Sequence, residues 1–244
     1  MSMRSFPRFT RGCAKPASSR VGTGWSPAVA PGANMRKGER DRWGGEGWPP
    51  PAAITTFADG DPAEDPWVCG APSVEAIEIA AYSSEWPVLF ESSKDLIAQA
   101  LQGVALNIEH VGSTAVPNLA AKPIIDMDLI VDDPTREETY VPALADLGYV
   151  LAIRERTWYE HRMLRHDRPR INLHVFGRNC AEYARHILFR DWLRAHPEDC
   201  GRYTRMKDEA RIGVTNVRDY NRNKEAVVRD IYAKIFDSRG WGAM

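Results

Sequence analysis

Long apolar runs are missing from this chain of 244 residues. None reaches the roughly 18 residues that a membrane-spanning helix requires, so no membrane association is expected. Cysteine is scarce: Cys13, Cys69, Cys180 and Cys200 stand alone, without CxxC spacing or a histidine at zinc-ligand distance. That excludes a disulfide framework and a structural zinc site, and points to a reducing cytoplasm. Net charge is nearly absent too, at −1, but the balance is uneven. Residues 1–48 hold nine Lys/Arg and three Asp/Glu, whereas residues 49–80 hold six Asp/Glu and no Lys/Arg. The whole-chain charge therefore identifies no partner.

The N-terminal part also lacks hydrophobic periodicity. Gly, Pro, Ser and Ala dominate, as in Gly44-Gly45-Glu46-Gly47-Trp48-Pro49-Pro50-Pro51. Trp25, Trp43, Trp48 and Trp67 have no periodic apolar frame around them. Residues 1–73 are expected to be a disordered or low-complexity extension, and residues 74–240 the folded domain. The first 38 residues carry no Asp or Glu and resemble a transit peptide in composition, but not in amphipathic pattern. A disordered tail or an over-extended start, with Met35 as a later one, is the expected explanation.

What is present begins near Val74. Residues 75–80 read as a short strand or extended lead-in. Trp86, Leu89, Phe90, Leu96, Ile97 and Leu101 recur at helical spacing. Residues 107–111 and 124–131 read as strands. Asp133-Pro134 predicts a helix start, with Asp133 as N-cap, running to about Leu147 and ended by Gly148. Residues 149–153, 158–164 and 170–176 are strand-like, with a turn at 165–170. Helices are predicted over about 181–195, 198–212 and 217–237, Pro197 opening the second and Gly213 closing it. The fold class is α+β: a small mixed sheet with helices on one face and a helical C-terminal layer.

The chemistry concentrates in Ile108-Glu-His-Val-Gly-Ser-Thr-Ala-Val-Pro117 and Lys122-Pro-Ile-Ile-Asp-Met-Asp-Leu-Ile-Val131. Asp126 and Asp128 are two apart on a strand, so they share a face with Cα atoms about 6.5–7 Å apart. Two hard carboxylates can hold Mg²⁺ or Mn²⁺. The apolar flanks bury this strand, so its charges must be offset by a metal, by Lys122 or by arginines. Gly112 lets the backbone approach a phosphate, and Ser113, Thr114 and successive N–H groups supply donors. Strand, Gly-Ser turn, a dozen residues and an Asp-x-Asp strand together form the signature of the nucleotidyltransferase (DNA polymerase β-like) fold.

The run from His110 to Asp126 strongly resembles the GrpB family, a branch of that superfamily. Tyr82-Ser-Ser-Glu-Trp-Pro87, Asn172-Leu-His-Val175, Phe189-Arg-Asp-Trp-Leu-Arg-Ala-His-Pro-Glu198, Tyr203 with Lys207, and Tyr220 with Lys224 extend the resemblance over about residues 74–237. It implies the fold, and a pocket for a nucleotide or phosphorylated small molecule. Some members are fused to dephospho-CoA kinase or acetyltransferase-like domains, which implies a protein partner such as a CoA-biosynthesis kinase. Active nucleotidyltransferases place a third carboxylate on a later strand. Here that strand offers His174, with Asn172 where the family commonly has another histidine. His174 is the expected third metal ligand or general base, with a hydrogen-bonded strand histidine as its alternative, and Glu160 a substitute carboxylate.

Arg162, Arg165, Arg170, Arg185, Arg190 and Arg194 are candidate phosphate ligands, Arg190 foremost, with an Arg–Asp structural pair as its alternative. Lys207 and Lys224 each follow a tyrosine at i,i+4, sharing a helix face with it, and are expected at the phosphates; solvated lysines on an amphipathic face are the alternative. Aromatics interleaved with basic residues are too sparse for a nucleic-acid platform. Two functions follow. The first is an enzyme binding a nucleoside triphosphate and Mg²⁺ or Mn²⁺ and transferring a nucleotidyl group to a small acceptor. The second is a catalytically inactive nucleotide-binding or partner-assisting module.

Overall fold

The structure is a computed structural model describing residues 48–70, 78–210 and 217–242. Residues 1–47, the first half of the predicted lead-in at 75–80 and the helix end at Gly213 lie outside the described residues, as does the side chain of Tyr220. The helices are α1 (Pro51–Thr55), α2 (Glu85–Leu101), α3 (Val141–Asp146), α4 (Ala181–Ala195), α5 (Pro197–Ala210) and α6 (Val217–Ser238). The strands are β1 (Asn107–Val111), β2 (Ile125–Val131), β3 (Val150–Glu155), β4 (His161–Asp167) and β5 (Arg170–Gly177). They form one sheet in the order β1-β2-β5-β4-β3. β2 and β5 pair in parallel, and the other neighbours are antiparallel. Among the described residues no helix is long and apolar enough to cross a membrane.

The pleat divides the sheet's work between its faces. Ile125, Met127, Leu129 and Val131 of β2, with Ile171, Leu173 and Val175 of β5, pack against Trp86, Phe90, Ile97 and Leu101 of α2 and Leu144 of α3. This is the α2 stripe anticipated from helical spacing. The helix stops where Gln102 and Gly103 turn left-handed, at φ 41° and 93°. The opposite face carries Val111, Ile130 and Phe176, which pack on Cys180, Tyr183 and Ile187 around α4. The polar even-numbered positions of β2 and β5 lie on this second face, below the helical layer of α4, α5 and α6.

The helix expected from Asp133 starts later. Asp133 Oδ1 accepts the N–H of Thr135 at 2.8 Å and its hydroxyl at 2.6 Å, closing a turn. The buried Tyr140 hydroxyl donates to the Pro134 carbonyl at 2.6 Å. That carbonyl is thereby taken from the helical ladder, and α3 begins only at Val141 with Pro142 in its first turn. Gly148 ends it as expected, at φ 91°. β4 begins at His161 rather than Trp158, because Tyr159 and Glu160 take left-handed φ values of 54° and 50°.

The expected extension at 1–73 is corrected over residues 48–70, which form a strap on the domain. Ile54 of α1 is fully buried among residues of α4, α5 and α6. The Phe57 ring meets Tyr232 edge-on at 5.3 Å. Trp67 bridges Ile153 on the edge strand β3, and the Arg154 N–H donates to the Pro66 carbonyl at 2.8 Å. Glu64 accepts the N–H groups of Arg156 at 2.8 Å and Thr157 at 3.1 Å. Single apolar residues set in a polar segment dock into grooves the domain already provides. They leave no period for a sequence to show.

Candidate functional site

Register builds the site. On β2, Asp126 lies beside Asn172 and Asp128 beside His174 across the parallel pairing with β5. The Asn172 amide donates to Asp126 Oδ1 at 2.9 Å. Burial pushes the Asp126 carboxyl up from the usual carboxylate range, against the Asn172 hydrogen bond and the charge of His186. Asp128 is fully buried and accepts from His186 Nδ1 at 2.9 Å. His186 reaches down from α4, and its Nε2 stands 3.5 Å from Glu182. Against the cost of burial, the charges and hydrogen bonds of Asp128 and Glu182 hold the His186 imidazole well above its ordinary value. Burial pushes the Asp128 carboxyl up as well, with the charge and hydrogen bond of His186 acting against it, so the two groups hold a proton between them in a buried site.

His174 turns away from this pair. Its Nδ1 lies 3.0 Å from His161 Nε2, and His161 Nδ1 lies 2.7 Å from Glu155. With the His161 Nδ1–H given to Glu155, the His174 Nδ1–H donates to His161 Nε2, a tautomer assigned from the network. Burial, then the neighbouring His161 and His186, push His174 well below its ordinary value, so it is neutral.

The Gly-Ser turn closes over the other end of β2. Gly112 takes φ 67°, and a Cβ there would stand 2.5 Å from Asp126 Oδ2. Only glycine permits both that conformation and that approach. Ser113–Ala115 forms one 3-10 turn. It is braced from several sides. His110, stacked on Phe90 at 4.8 Å, meets Thr114 Oγ1 at 3.0 Å, and Thr114 donates to the Ile124 carbonyl at 3.2 Å. The Thr114 proton being spent, His110 donates from Nε2. Arg194 donates to the Ala115 carbonyl at 2.7 Å.

Lys207 of α5 is 2% exposed, and its ammonium donates to Ser113 Oγ at 3.3 Å and to the Ala120 carbonyl. It also lies 4.9 Å from the Tyr203 ring centre. Burial, followed by the charge of Lys224, pulls Lys207 down to about 8. Burial, followed by the charge of Lys122, pulls Lys224 down to about 8, while Asp126 acts the other way. Lys207 thus sits on Ser113, and Lys224 feels Lys207, Lys122 and the Asp126 carboxylate.

The structure brings together Gly112, Ser113, Lys122, Asp126, Lys207 and Lys224. It corrects other expectations. Asp126, Asp128 and His174 do not assemble as one ligand set: each is turned to a different protein partner. Among the described residues no group of three or more His, Cys, Asp or Glu side chains is arranged to hold a metal. Thr114 is buried and its hydroxyl is spent within the turn. Arg190 forms the Arg–Asp pair given as its alternative and braces the turn, donating to Glu109 at 2.7 Å, Asp191 at 2.8 Å and the His110 carbonyl at 2.8 Å. Arg162 is likewise held by Glu137 at 2.7 Å. Sequence reading missed His186, Glu182 and His161. The available signal was Glu182 and His186 at i,i+4, with both facing inward on a helix whose neighbours are apolar.

Fold and site together define a class: an α+β protein with a five-stranded mixed sheet, whose Gly-Ser turn lies between an Asp-x-Asp strand and a buried lysine of α5. Residues 76–234 match the family described as GrpB protein, and the chain belongs to that family. An UPF0157 protein of Halalkalibacterium halodurans is 44% identical over 161 residues, which cover 66% of this chain and 83% of that one. Another from Streptomyces coelicolor is 38% identical over 140 residues, covering 57% and 73%. Among solved structures, the conserved protein GrpB from Enterococcus faecalis superposes with a TM-score of 0.57 at 29% identity, over 66% of this chain and 98% of that one.

Proposed function

We propose that this protein binds a phosphorylated small molecule, a nucleoside triphosphate first among them, at the Gly112-Ser113 turn. The observation that carries this is the buried Lys207 ammonium held on Ser113 Oγ, with Lys224 and Lys122 close enough to repel. A buried ammonium on a serine hydroxyl at a glycine turn, with two further lysines near it, favours an anion, and phosphate oxygens are anions such a turn can hold. Lys207, Lys224 and Lys122 would neutralise the phosphates, and the Ser113 hydroxyl and the turn's backbone would orient them.

Nucleotidyl transfer with Mg²⁺ or Mn²⁺ is the second reading, supported by Asp126 and Asp128 sharing one face of β2. The third ligand it needs does not fit: His174 is bonded to His161, and Asp128 is already bonded to His186. The geometry therefore favours binding over transfer. Titration calorimetry with each NTP, in EDTA and with Mg²⁺ or Mn²⁺, tests both. Wild type is expected to bind without added metal, and Lys207→Gln/Lys224→Gln to bind at least about tenfold more weakly, each lost charge-assisted bond being worth about 1.5–3 kcal/mol. Absence of binding by any NTP sinks the proposal. Pyrophosphate release that needs metal and vanishes in Asp126→Asn/Asp128→Asn would establish transfer.

A further inference from the structure

The strap lies ahead of the residues that match the family, yet it reaches the site through one side chain. Arg185 of α4 is 1% exposed. Its Nη1 donates to three carbonyls at the C-terminal end of α1: Ile54 at 2.8 Å, Thr56 at 3.2 Å and Ala53 at 3.3 Å. Those are the carbonyls a helix leaves without intrahelical partners, so a guanidinium satisfies them well. Nη2 meets the Tyr159 hydroxyl at 2.6 Å, and Nε donates to Glu182 Oε2 at 2.7 Å. The other oxygen of Glu182 faces His186 Nε2 at 3.5 Å, and His186 Nδ1 holds Asp128 at 2.9 Å. Strap, arginine, glutamate, histidine and aspartate thus form one continuous polar chain from α1 to the floor of the site. Phe57 lies on the guanidinium at 4.8 Å and closes that chain from the strap side.

We infer that residues 50–57 are a working part of the site, and that Arg185 is a positioning residue which transmits their docking to His186 and Asp128. A guanidinium that merely filled space would not need five donor contacts divided among the strap, Tyr159 and one carboxylate. Arg185 fixes the rotamer of Glu182, Glu182 fixes the ring plane of His186, and the ring, which meets both oxygens of Asp128, fixes the carboxylate plane. The strap supplies the carbonyls that fix Arg185. The inference uses the proposed function only for its consequence in binding, not for the positioning itself.

The test uses the full chain with ¹⁵N-labelled histidine, reading the two ring nitrogens of His186 together with thermal unfolding. Arg185→Gln is expected to move both His186 resonances. Glu64→Gln, which weakens the far anchor of the strap, should lower the melting temperature and leave them in place. Tyr159→Phe removes one hydroxyl from Arg185 and should give a smaller displacement in the same direction, so it serves if Arg185→Gln does not fold. His186 resonances unmoved in both Arg185→Gln and Tyr159→Phe would overturn the inference. Displacement in a protein that binds no nucleotide supports the positioning role and overturns the reading of the site instead.

Discussion

At the scale of single residues the site is defined by what Gly112, His110 and His186 allow. Gly112→Ala places a Cβ on Asp126 Oδ2 and imposes a left-handed φ on an L-residue. We expect a loss on the order of 3 kcal/mol in urea unfolding, and loss of phosphate binding with it. A variant as stable as wild type would show that the turn is not tight. His110 is held down to about 3 by burial first, then by Arg194 and Arg190. The unfolded chain takes up this proton near pH 6.5 while the folded one refuses it. Stability is therefore present in full above pH 6.5 and is lost as pH falls from there toward 3. Urea midpoints at pH 7 and pH 5 should differ less in His110→Gln than in wild type; equal slopes would refute this. Asp126 and Gly112 were legible because a buried strand interrupted by two carboxylates, and a glycine at its approach, are local patterns. His186 was not, because it meets Asp128 from a helix 58 positions later, and only the packed structure decides which histidine turns inward.

Among elements, every strand and the long helices announced themselves through their apolar spacing. The errors fell where a side chain captured a backbone group, as Tyr140 does at Pro134, or where left-handed residues displaced a strand start at Tyr159 and Glu160. The strap was illegible for another reason. Its anchors are Ile54, Phe57 and Trp67, each alone, and their partners lie about a hundred or more positions away. Ile54→Ala should cost about 2–4 kcal/mol, because it empties a fully buried position between helices. Chemical denaturation measures this directly. A cost below about 0.5 kcal/mol, the range of surface substitutions, would show that α1 is not docked in solution.

For the whole molecule, the lysine cluster ties ligand, proton and stability together. Burial, then a neighbouring lysine in each case, hold Lys207 and Lys224 down to about 8 in the folded state, below the ordinary lysine value. Below pH 8 the native state carries the full cost of their buried charges. Between about 8 and 10.5 the unfolded chain binds more protons than the native one, so their contribution makes stability rise with pH. Bound phosphate acts oppositely, since it holds the lysines charged. The rise in melting temperature caused by pyrophosphate should therefore be large at pH 7 and shrink by pH 9.5. An equal rise at both values would separate the lysines from the ligand.

The parallel pairing of β2 with β5 joins Asp126 to Asn172 across 46 positions, and Lys207 meets Ser113 across 94. Contacts so distant along the chain are made slowly, after nearer ones. During synthesis the acidic strand and its turn leave the ribosome well before α4 and α5 do. Until then Asp126 and Asp128 have neither Asn172 nor His186, and water must serve as their partner. The site is thus among the last parts of the molecule to come into being, and a nascent chain cannot hold its ligand before its helical layer has closed.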